Sequence, residues 1–555
     1  DCLLSRGLGD VYKRQILMIL LYVPPVQNFI RKQATAIASD ATGMNISVER
    51  IDLRFPLNLL VRGVQVVQSE ADAADVQHPD TLLNLGSLNV SVQAWPLLQG
   101  RVEVNDITLQ QVAVNSSNLL EGMHIKGTLG WFFLESHGID LKKEDAILNN
   151  VELSNTHMQV MLADTTETPK DSTETAVNWR IALHNLKLKN VSVDLQMPLD
   201  SMALGANIGD ASIEDANVDL KRQFYGWRRF TLTESAVNYD SGMAAPVEGF
   251  DASHIALRDI RIGIDSVMAC GREMNAIIRE FSMYDRSGLT VTSLTGRLFA
   301  DSTLIRIPYL QLKTPHSDMD LTAQTYWKLV DIPTTGHLSA RFNANIGKQD
   351  VLLFAGGLPE TFKEAYPFRP LVIHAGTEGN LKQMQISRFT AELPGAFFLS
   401  GGGELWNLTD SLTRNGGLDF EMQTQDLNFL TGLTGVTPDG SIIVPDSMNL
   451  VARLGLDGPQ CNAILKIKEG EGSLGLDAAY NLNTEVYHAD LAIDALQLHH
   501  FLPKDSIYTL TARVTAKGQG VDVASHKTIA RVEAKLDELL SLIHISEPTR
   551  QEAIS

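Results

Sequence analysis

The feature that most limits the fold of this chain is an alternation of apolar and polar residues, which recurs in short pieces between Ile46 and Leu540. Examples are LNVSVQA at Leu88–Ala94, LKLKNVSVDLQM at Leu186–Met197 and HIALRDIRIGI at His254–Ile264. A period of two is the period of a β-strand, whose successive side chains point to opposite faces of a sheet. The pattern therefore predicts a mainly β protein, built from repeated short strands, whose antiparallel sheet has one apolar and one polar face.

A long sheet of this kind must cover its apolar face. The chain has 555 residues, which is too many for one small core. The sheet can close into a barrel, pack on a second sheet, or fold into a half-pipe that holds something apolar. Alternation is compatible with each solution, so a sandwich and a lipid-filled trough both remain open at this point.

A loose internal repeat runs through the last third of the chain. It comprises PLVIHAGTEGN at Pro370–Asn380, NLVARLGLDGP at Asn449–Pro459 and TLTARVTAKGQ at Thr509–Gln519. Each segment is an alternating strand with a basic residue (His374, Arg453 or Arg513) and, five residues later, a glycine. Repeats that stack neighbour on neighbour indicate an elongated body.

Helical patterns are few. They are predicted at Val26–Asp40, at Val351–Tyr366 with a break at Gly356-Gly357, and at the shorter segments Asp426–Leu433, Leu496–Leu502 and Val532–Leu540.

The N-terminal region contains one strongly apolar run, followed by Pro24-Pro25. It consists of Ile16, Leu17, Met18, Ile19, Leu20, Leu21, Tyr22 and Val23. A bilayer span needs about 20 apolar residues, so we interpret residues 16–25 as the end of a truncated transmembrane anchor. Residues 1–15 and 541–555 resemble translated adapter sequence, and we expect both segments to be sequencing artefacts rather than parts of the fold.

The charge and the cysteines exclude several classes of function. A formal net charge of −20 makes the chain poorly suited to holding phosphate backbones, so we expect no nucleic-acid partner. The three cysteines form no CxxC pair, which argues against a disulfide framework or a zinc site.

Motifs that carry catalytic chemistry are absent from the sequence. Gly401–Gly403 is interpreted as a turn or bulge rather than a phosphate loop. His499-His500 lacks further ligands at metal-binding spacing and is interpreted as a partly exposed helix end. We therefore predict no enzymatic activity, no metal and no cofactor. WFFL at Trp131–Leu134 could line a groove, although each single residue is predicted to be core.

Two blocks near the N-terminus resemble the AsmA-like superfamily. In MNISVERIDLRFPLNLLVRGVQV (Met44–Val66), a strand is followed by Phe55-Pro56 and a second apolar strand. In Leu82–Val114, an alternating strand leads to a Pro-Leu-Leu-x-Gly turn and a second alternating stretch. The turn is Pro96, Leu97, Leu98 and Gly100, and the stretch carries Val102, Val104, Ile107 and Leu109. From Val151 onward the chain resembles the translocation and assembly modules of the TamB family of diderm bacteria.

The resemblance implies an inner-membrane anchor by one helix and a curved β-sheet in the periplasm with a continuous hydrophobic groove (a half-pipe, or β-taco). It also implies passage of phospholipid toward the outer membrane. On this basis residues 26–43 form a linking helix, 44–200 an AsmA-like N-terminal β domain and 201–540 an elongated β-repeat groove. The implied partners are phospholipid acyl chains, the inner membrane and an outer-membrane barrel of the Omp85 class.

The candidate groove face is a set of alternating apolar residues rather than a single site, because any apolar wall shields acyl chains from water. The set is Leu88, Val90, Val92, Val102, Val104, Leu186, Leu188, Val191, Val193, Leu195, Ile260, Ile262 and Ile264. The apolar positions change parity between Leu188 and Val191, which predicts a bulge near Lys189-Asn190.

Two other functions compete with lipid passage. The protein could assemble or translocate outer-membrane proteins together with an Omp85-type barrel, by offering a sheet edge to nascent strands. It could also be a secreted structural or adhesive repeat protein, for which calcium motifs or a sorting signal are expected and not found.

Overall fold

The computed structural model describes residues 23–42, 44–54, 58–68, 81–93, 104–116, 122–140, 143–162, 178–434, 440–504, 507–520 and 527–539. Within them there are 26 strands, nearly all of them paired antiparallel, and the helices are few and mostly short, which confirms the predicted mainly β fold class. The chain divides into two compact units. Unit 1 comprises residues 1–246 and 251–286, and unit 2 comprises residues 247–250 and 287–555.

Several predictions fall outside the described residues. They concern residues 1–15 and 541–555, the anchor residues Ile16–Tyr22, the turns at Phe55-Pro56 and Pro96–Gly100, and Val102. In the described part of the chain, no helix combines the length and the apolar character needed to cross a bilayer.

The described part of unit 1 contains one helix and eleven strands. They are α1 (Pro24–Thr42), β1 (Asn45–Arg54), β2 (Asn58–Val67), β3 (Thr81–Val92), β4 (Val104–Asn115), β5 (Met123–Asp140), β6 (Asp145–Leu162), β7 (Arg180–Met197), β8 (Met202–Asp219), β9 (Phe224–Ser241), β10 (His254–Cys270) and β11 (Glu273–Asp285). Each strand pairs with the next in sequence. The pair β6–β7 is parallel, because residues 163–179 connect the end of β6 to a β7 that starts beside the beginning of β6.

Strands β5 to β9 are 18 residues long, which is longer than the predicted short strands. A row of residues near the middle of β2 to β10 explains the difference, and we call this row the seam. The seam is Gly63, Gly86, Gln111, Gly130, Asn155, Asn190, Gly209, Glu234 and Asp259. Six of its members have positive φ, between 51° and 61°. A residue in this conformation turns two consecutive side chains to the same side of the sheet. The apolar residues therefore change from even to odd positions, or the reverse, within one strand.

The irregularity predicted near Lys189-Asn190 is present, but it is not a bulge: Asn190 has φ of 51° and belongs to the seam, while β7 keeps its register with β6 and β8 across it. Burial is unequal on the two sides of the seam. Apolar-side residues next to it are buried, such as Val191 at 6% and Ile260 at 4% exposure, whereas Asn155 and Asn190 are exposed. Each strand therefore bends there with its apolar side on the inside.

Helix α1 lies against β1, the first strand of unit 1. The side-chain amide of Gln27 donates to the carbonyl of Leu53 at 3.1 Å, and Arg31 donates to the carbonyl of Val48 at 2.7 Å. The helix thus satisfies backbone acceptors of an edge strand, a common means of blocking further strand pairing.

Unit 2 contains the remaining strands and short helices. They are β12 (Thr290–Val291), β13 (Ser293–Ala300), β14 (Leu304–Lys313), β15 (Asp318–Tyr326), α2 (Trp327–Asp331), β16 (Leu338–Ile346), α3 (Lys348–Leu353), α4 (Glu360–Ala365), β17 (Leu371–Asn380), β18 (Gln383–Leu393), β19 (Phe397–Trp406), β20 (Asn415–Thr424), a 3₁₀ helix (Asn428–Thr434), β21 (Asn449–Asp457), β22 (Gln460–Glu469), β23 (Gly472–Asn481), β24 (Val486–Gln497), α5 (Leu498–Phe501), β25 (Ile507–Gln519) and β26 (Lys527–Leu539). From β13 onward each strand pairs antiparallel with the next.

A small core forms where α4 and the 3₁₀ helix cover the ends of the strands of unit 2. Phe362, Tyr366 and Phe429 pack edge to face or tilted, with ring centroids 5.5–5.9 Å apart, beside the 1% exposed Leu393. Burial raises the pKa of the Tyr366 hydroxyl, because the charged phenolate is poorly solvated there.

Most helix predictions are confirmed. The prediction at Val351–Tyr366 corresponds to α3 and α4 with the expected break between them. The helix predicted at Val532–Leu540 is wrong, because the described residues of this segment, 532–539, belong to strand β26. Its alternating Val532, Ala534 and Leu536 stand opposite apolar positions of β25, and strand pairing overrides the local helical preference.

Candidate functional site

One face of unit 1 is apolar at every position from the seam to a second irregularity. At that irregularity, near His184 in β7 and Asp215 in β8, the alternation of faces shifts again by one residue. We call this face the unit 1 apolar face. The register places on it Ile51, Leu53, Leu59, Val61, Leu88, Val90, Ile107, Leu109, Phe132, Leu134, Val151, Leu153, Leu186, Leu188, Ala211, Ile213, Phe230, Leu232, Ile262, Ile264 and Phe281. Because directly paired residues share a face, eleven consecutive strands contribute without a polar interruption.

The opposite face of the same strands is polar. In β7 it carries Asn185, Lys187 and Lys189, and the register continues to Ser212 in β8 and Thr231 in β9, whose hydroxyls lie 2.6 Å apart. Unit 1 therefore separates its polarity by face, as the alternation predicts.

The unit 1 apolar face is not buried under a second layer of described residues. Leu186, Leu188, Leu232 and Ile262 are all of intermediate exposure, and Leu59 is 36% exposed. Side chains in a covered core lose nearly all contact with water, whereas these are shielded only by their neighbours in the sheet. An exposed apolar surface of this extent indicates a binding surface.

The structure brings most of the predicted groove residues onto one side of unit 1. Leu88, Val90, Val92, Val104, Leu186, Leu188, Ile262 and Ile264 share the register positions of the apolar face. Val191, Val193 and Leu195 continue it beyond the seam, where Val193 is 38% exposed. Ile260 stands next to the seam and is buried.

The WFFL segment divides between the two faces, which corrects the prediction that its residues are core. Phe132 and Leu134 belong to the apolar face, and all four side chains are only half-buried. Trp131 and Phe133 lie on the polar face, where their rings stack with centroids 5.7 Å apart.

Unit 2 carries a second apolar face on strands β20 to β25, which the sequence analysis did not single out. The register aligns its residues in rows that cross the strands. One row is Leu456, Cys461, Tyr480 and Tyr487, the next is Leu418, Leu454, Ala463, Ala478, Ala489 and Ala516, and the third is Phe420, Ala452, Leu465, Leu476, Leu491 and Val514. Alternation in GSLGLDAAYN and LVARLGLD already contains this face, but only the register reveals the rows.

A cleft of about 560 Å³ lies on this second face. Its walls include Leu418, Leu454 and Tyr480, and its floor includes Ala463 and Ala478. Leu454 is 47% exposed although it is a large apolar side chain. The cleft has the apolar lining typical of sites for hydrophobic ligands.

One cluster of charges on the polar side of unit 1 is paired. The guanidinium of Arg228 donates to Asp215 at 2.7 Å and contacts Glu214 at 2.9 Å. The hydrogen bond from Arg228, followed by that from His184, lowers the pKa of the Asp215 carboxyl below its usual value.

The histidines and glycines whose sequence could suggest other chemistry have structural roles. Within the described ranges, no group of three or more histidine, cysteine or carboxylate residues could hold a metal ion. His499 and His500 end α5, as predicted, and His500 contacts Glu469 at 2.7 Å. Gly401 lies inside β19 rather than in a turn, beside a register shift in the neighbouring β18.

No model of a known protein family matches the chain, and no curated protein matches it.

Proposed function

We propose that this protein carries phospholipid through a hydrophobic β-groove, as an inner-membrane-anchored bridge in the periplasm that leads toward the outer membrane. The observation that carries the proposal is the unbroken apolar face of unit 1, which no described layer covers. The anchor, the compartment and the direction rest on the resemblance of Met44–Val66 and Leu82–Val114 to the AsmA-like superfamily.

The free energy of binding an acyl chain to such a face suits passage of the lipid rather than its storage. A methylene group gains about 0.8 kcal/mol when it leaves water for an apolar wall, so ten methylenes gain on the order of 8 kcal/mol. A bilayer interior offers the same gain, and exchange between membrane and groove is therefore close to balanced. Since no single side chain dominates the contact, an acyl chain can shift along the face without breaking a specific bond.

Photo-crosslinking from the apolar face tests this function. A photoreactive residue at Leu188 projects from the half-buried apolar face, whereas the same residue at Lys187 projects from the polar face of β7. We expect phospholipid adducts from Leu188 and few from Lys187 in the membrane-bound protein. Recovery of an outer-membrane barrel protein alone from Leu188 would overturn lipid passage and favour the assembly function.

A further inference from the structure

Four alanines stand side by side in consecutive strands of unit 2. Ala463, Ala478, Ala489 and Ala516 belong to β22, β23, β24 and β25, and each is paired with the next. The row on one side is bulky in all four strands, with Leu465, Leu476, Leu491 and Val514, and the row on the other side carries Tyr480 and Tyr487 between the smaller Cys461 and Gly518. Because an alanine side chain ends at Cβ, the row forms the floor of a furrow between two ridges, and we call it the alanine furrow.

The furrow crosses the strands instead of following one. Strands lie about 4.8 Å apart, so four alanines in neighbouring strands extend over roughly 15 Å. Rows on one face are two residues apart, which places each ridge about 7 Å from the floor. The cleft of about 560 Å³ overlaps the start of the furrow at Ala463, Ala478 and Ala489 and continues to Leu418 and Leu454.

Charge and width together define the occupant. None of the residues in the alanine row and its two flanking rows is charged, while Arg453, Asp477 and Arg513 are exposed on the opposite face. A charged headgroup or peptide finds no counter-ion in the furrow, whereas an uncharged alkyl chain needs none. An α-helix measures about 10–12 Å across with its side chains and is too wide for a furrow one row wide. The strands on either side of each alanine already use their backbone hydrogen bonds.

We propose that the alanine furrow holds a single unbranched acyl chain of a phospholipid, lying across β22 to β25. This inference rests on the proposed function and names the segment of unit 2 where one chain is held in a fixed position. Tyr480 and Tyr487 form the ridge beside the chain, and the thiol of Cys461 stands in the same row, two residues from Ala463.

Cys461 provides a reporter beside the furrow. Its thiol is of intermediate exposure and lines the cleft. In the 555-residue chain with Cys2→Ser and Cys270→Ser, Cys461 is the one cysteine that a charged, water-soluble methanethiosulfonate can modify. We expect vesicles of phosphatidylethanolamine and phosphatidylglycerol to slow this modification about tenfold. A tenfold effect corresponds to the apolar contact of roughly two methylene groups of the acyl chain.

Two variants in neighbouring strands separate the furrow from the sheet as a whole. Ala478→Phe fills the furrow, and Ala492→Phe places the same ring on the opposite face beside Gly475, where open space is available. We expect the protection of Cys461 by lipid to disappear in Ala478→Phe and to persist in Ala492→Phe. Ala478→Leu, a smaller change, gives the same comparison if the phenylalanine variant does not fold.

Crosslinking from Leu188 in unit 1 distinguishes the two proposals. Phospholipid adducts at Leu188 without lipid protection of Cys461, or equal protection in Ala478→Phe and Ala492→Phe, would overturn the furrow and leave the proposed function intact. If the protein with the native alanine furrow gives neither phospholipid adducts at Leu188 nor lipid protection of Cys461, the proposed function is overturned as well.

Discussion

The side-chain amide of Asn190 donates a hydrogen bond to the side-chain oxygen of Asn155 at 2.8 Å, across the parallel pair β6–β7. Both residues have φ of 51°, a conformation that asparagine tolerates better than most residues. The contact joins two members of the seam at the one place where the described strands run parallel. It therefore stabilises the bend that keeps the apolar side of unit 1 on its inside.

Replacing Asn190 with valine should destabilise unit 1. Valine is β-branched and strongly disfavours positive φ, and it cannot replace the hydrogen bond to Asn155. We expect a loss of about 1–3 kcal/mol in the free energy of unfolding, measured from urea denaturation. Lys189→Val, one residue earlier and outside the seam, should change stability by less than about 0.5 kcal/mol. Equal effects of the two valines would contradict the role of the seam.

The glycine at position 401 should be required for close packing of two strands. A Cβ atom there would meet the ring of Phe420 and lie 2.7 Å from the carbonyl oxygen of Asp419. We expect Gly401→Ala to cost about 1–3 kcal/mol, since the backbone of β20 must move to relieve the overlap. The thermal unfolding midpoint of unit 2 measures the effect.

Gly475→Ala is the matched control for this change, because a Cβ at Gly475 meets nothing within 4 Å. It should leave the midpoint unchanged or raise it slightly, since alanine restricts the unfolded chain more than glycine. An equal drop in both variants would show that strand glycines matter here for a reason other than packing.

The Asp215–Arg228 pair should influence stability in acid. The pKa of Asp215 is lower in the folded protein than its ordinary value of 3.8, so its contribution is present above that value and is lost as the pH falls through the folded pKa. Arg228→Gln removes the principal cause of the shift. We expect the acid-unfolding midpoint, followed by circular dichroism, to move to higher pH in this variant.

Arg222→Gln serves as the control for the acid experiment. The side chain of Arg222 is highly exposed, and its guanidinium approaches Asp219 only at 4.0 Å, while the backbone N–H that donates to Asp219 is kept in the variant. Its replacement should leave the acid midpoint where it is. If Arg228→Gln behaves like Arg222→Gln, then the hydrogen-bonded pair contributes nothing measurable, as is common for exposed ion pairs.

Some features of the fold could be predicted from the sequence because they are local. Alternation in Leu186–Met197 identifies which residues of β7 share a face, and the change of parity locates the irregularity at Asn190, although it is a residue of positive φ and not the predicted bulge. The same local pattern underestimates strand length, since a residue with positive φ divides one 18-residue strand into two apparently separate short strands.

Features that depend on pairing between distant segments could not be predicted in this way. The parallel register of β6 and β7 depends on the path of the intervening chain, and the alanine row requires the relative register of four strands. The segment predicted as a helix at Val532–Leu540 has a helical local pattern, and its described residues 532–539 form a strand only through pairing with β25. For the candidate site, the sequence therefore predicts which residues of one strand share a face. It does not predict which residues of neighbouring strands stand side by side in a row.

A charge on the unit 1 apolar face should remove bound lipid while leaving the sheet intact. Leu188, Ala211, Leu232 and Ile262 follow one another in a single row across β7 to β10. A carboxylate at Leu232→Asp stays hydrated in the empty protein, because the face is not covered. An acyl chain lying over it would strip that water, which costs several kcal/mol for a charged group.

Thr231→Asp places the same charge on the polar face of β9, one residue away. We expect Leu232→Asp to lose most phospholipid crosslinking from Leu188, which stands two strands away and thus about 10 Å distant. Thr231→Asp should retain it, and both variants should keep the circular dichroism of a folded β protein. Retention of the crosslink in Leu232→Asp would mean that phospholipid does not lie along this row, because no acyl chain can cover the row without desolvating the new carboxylate.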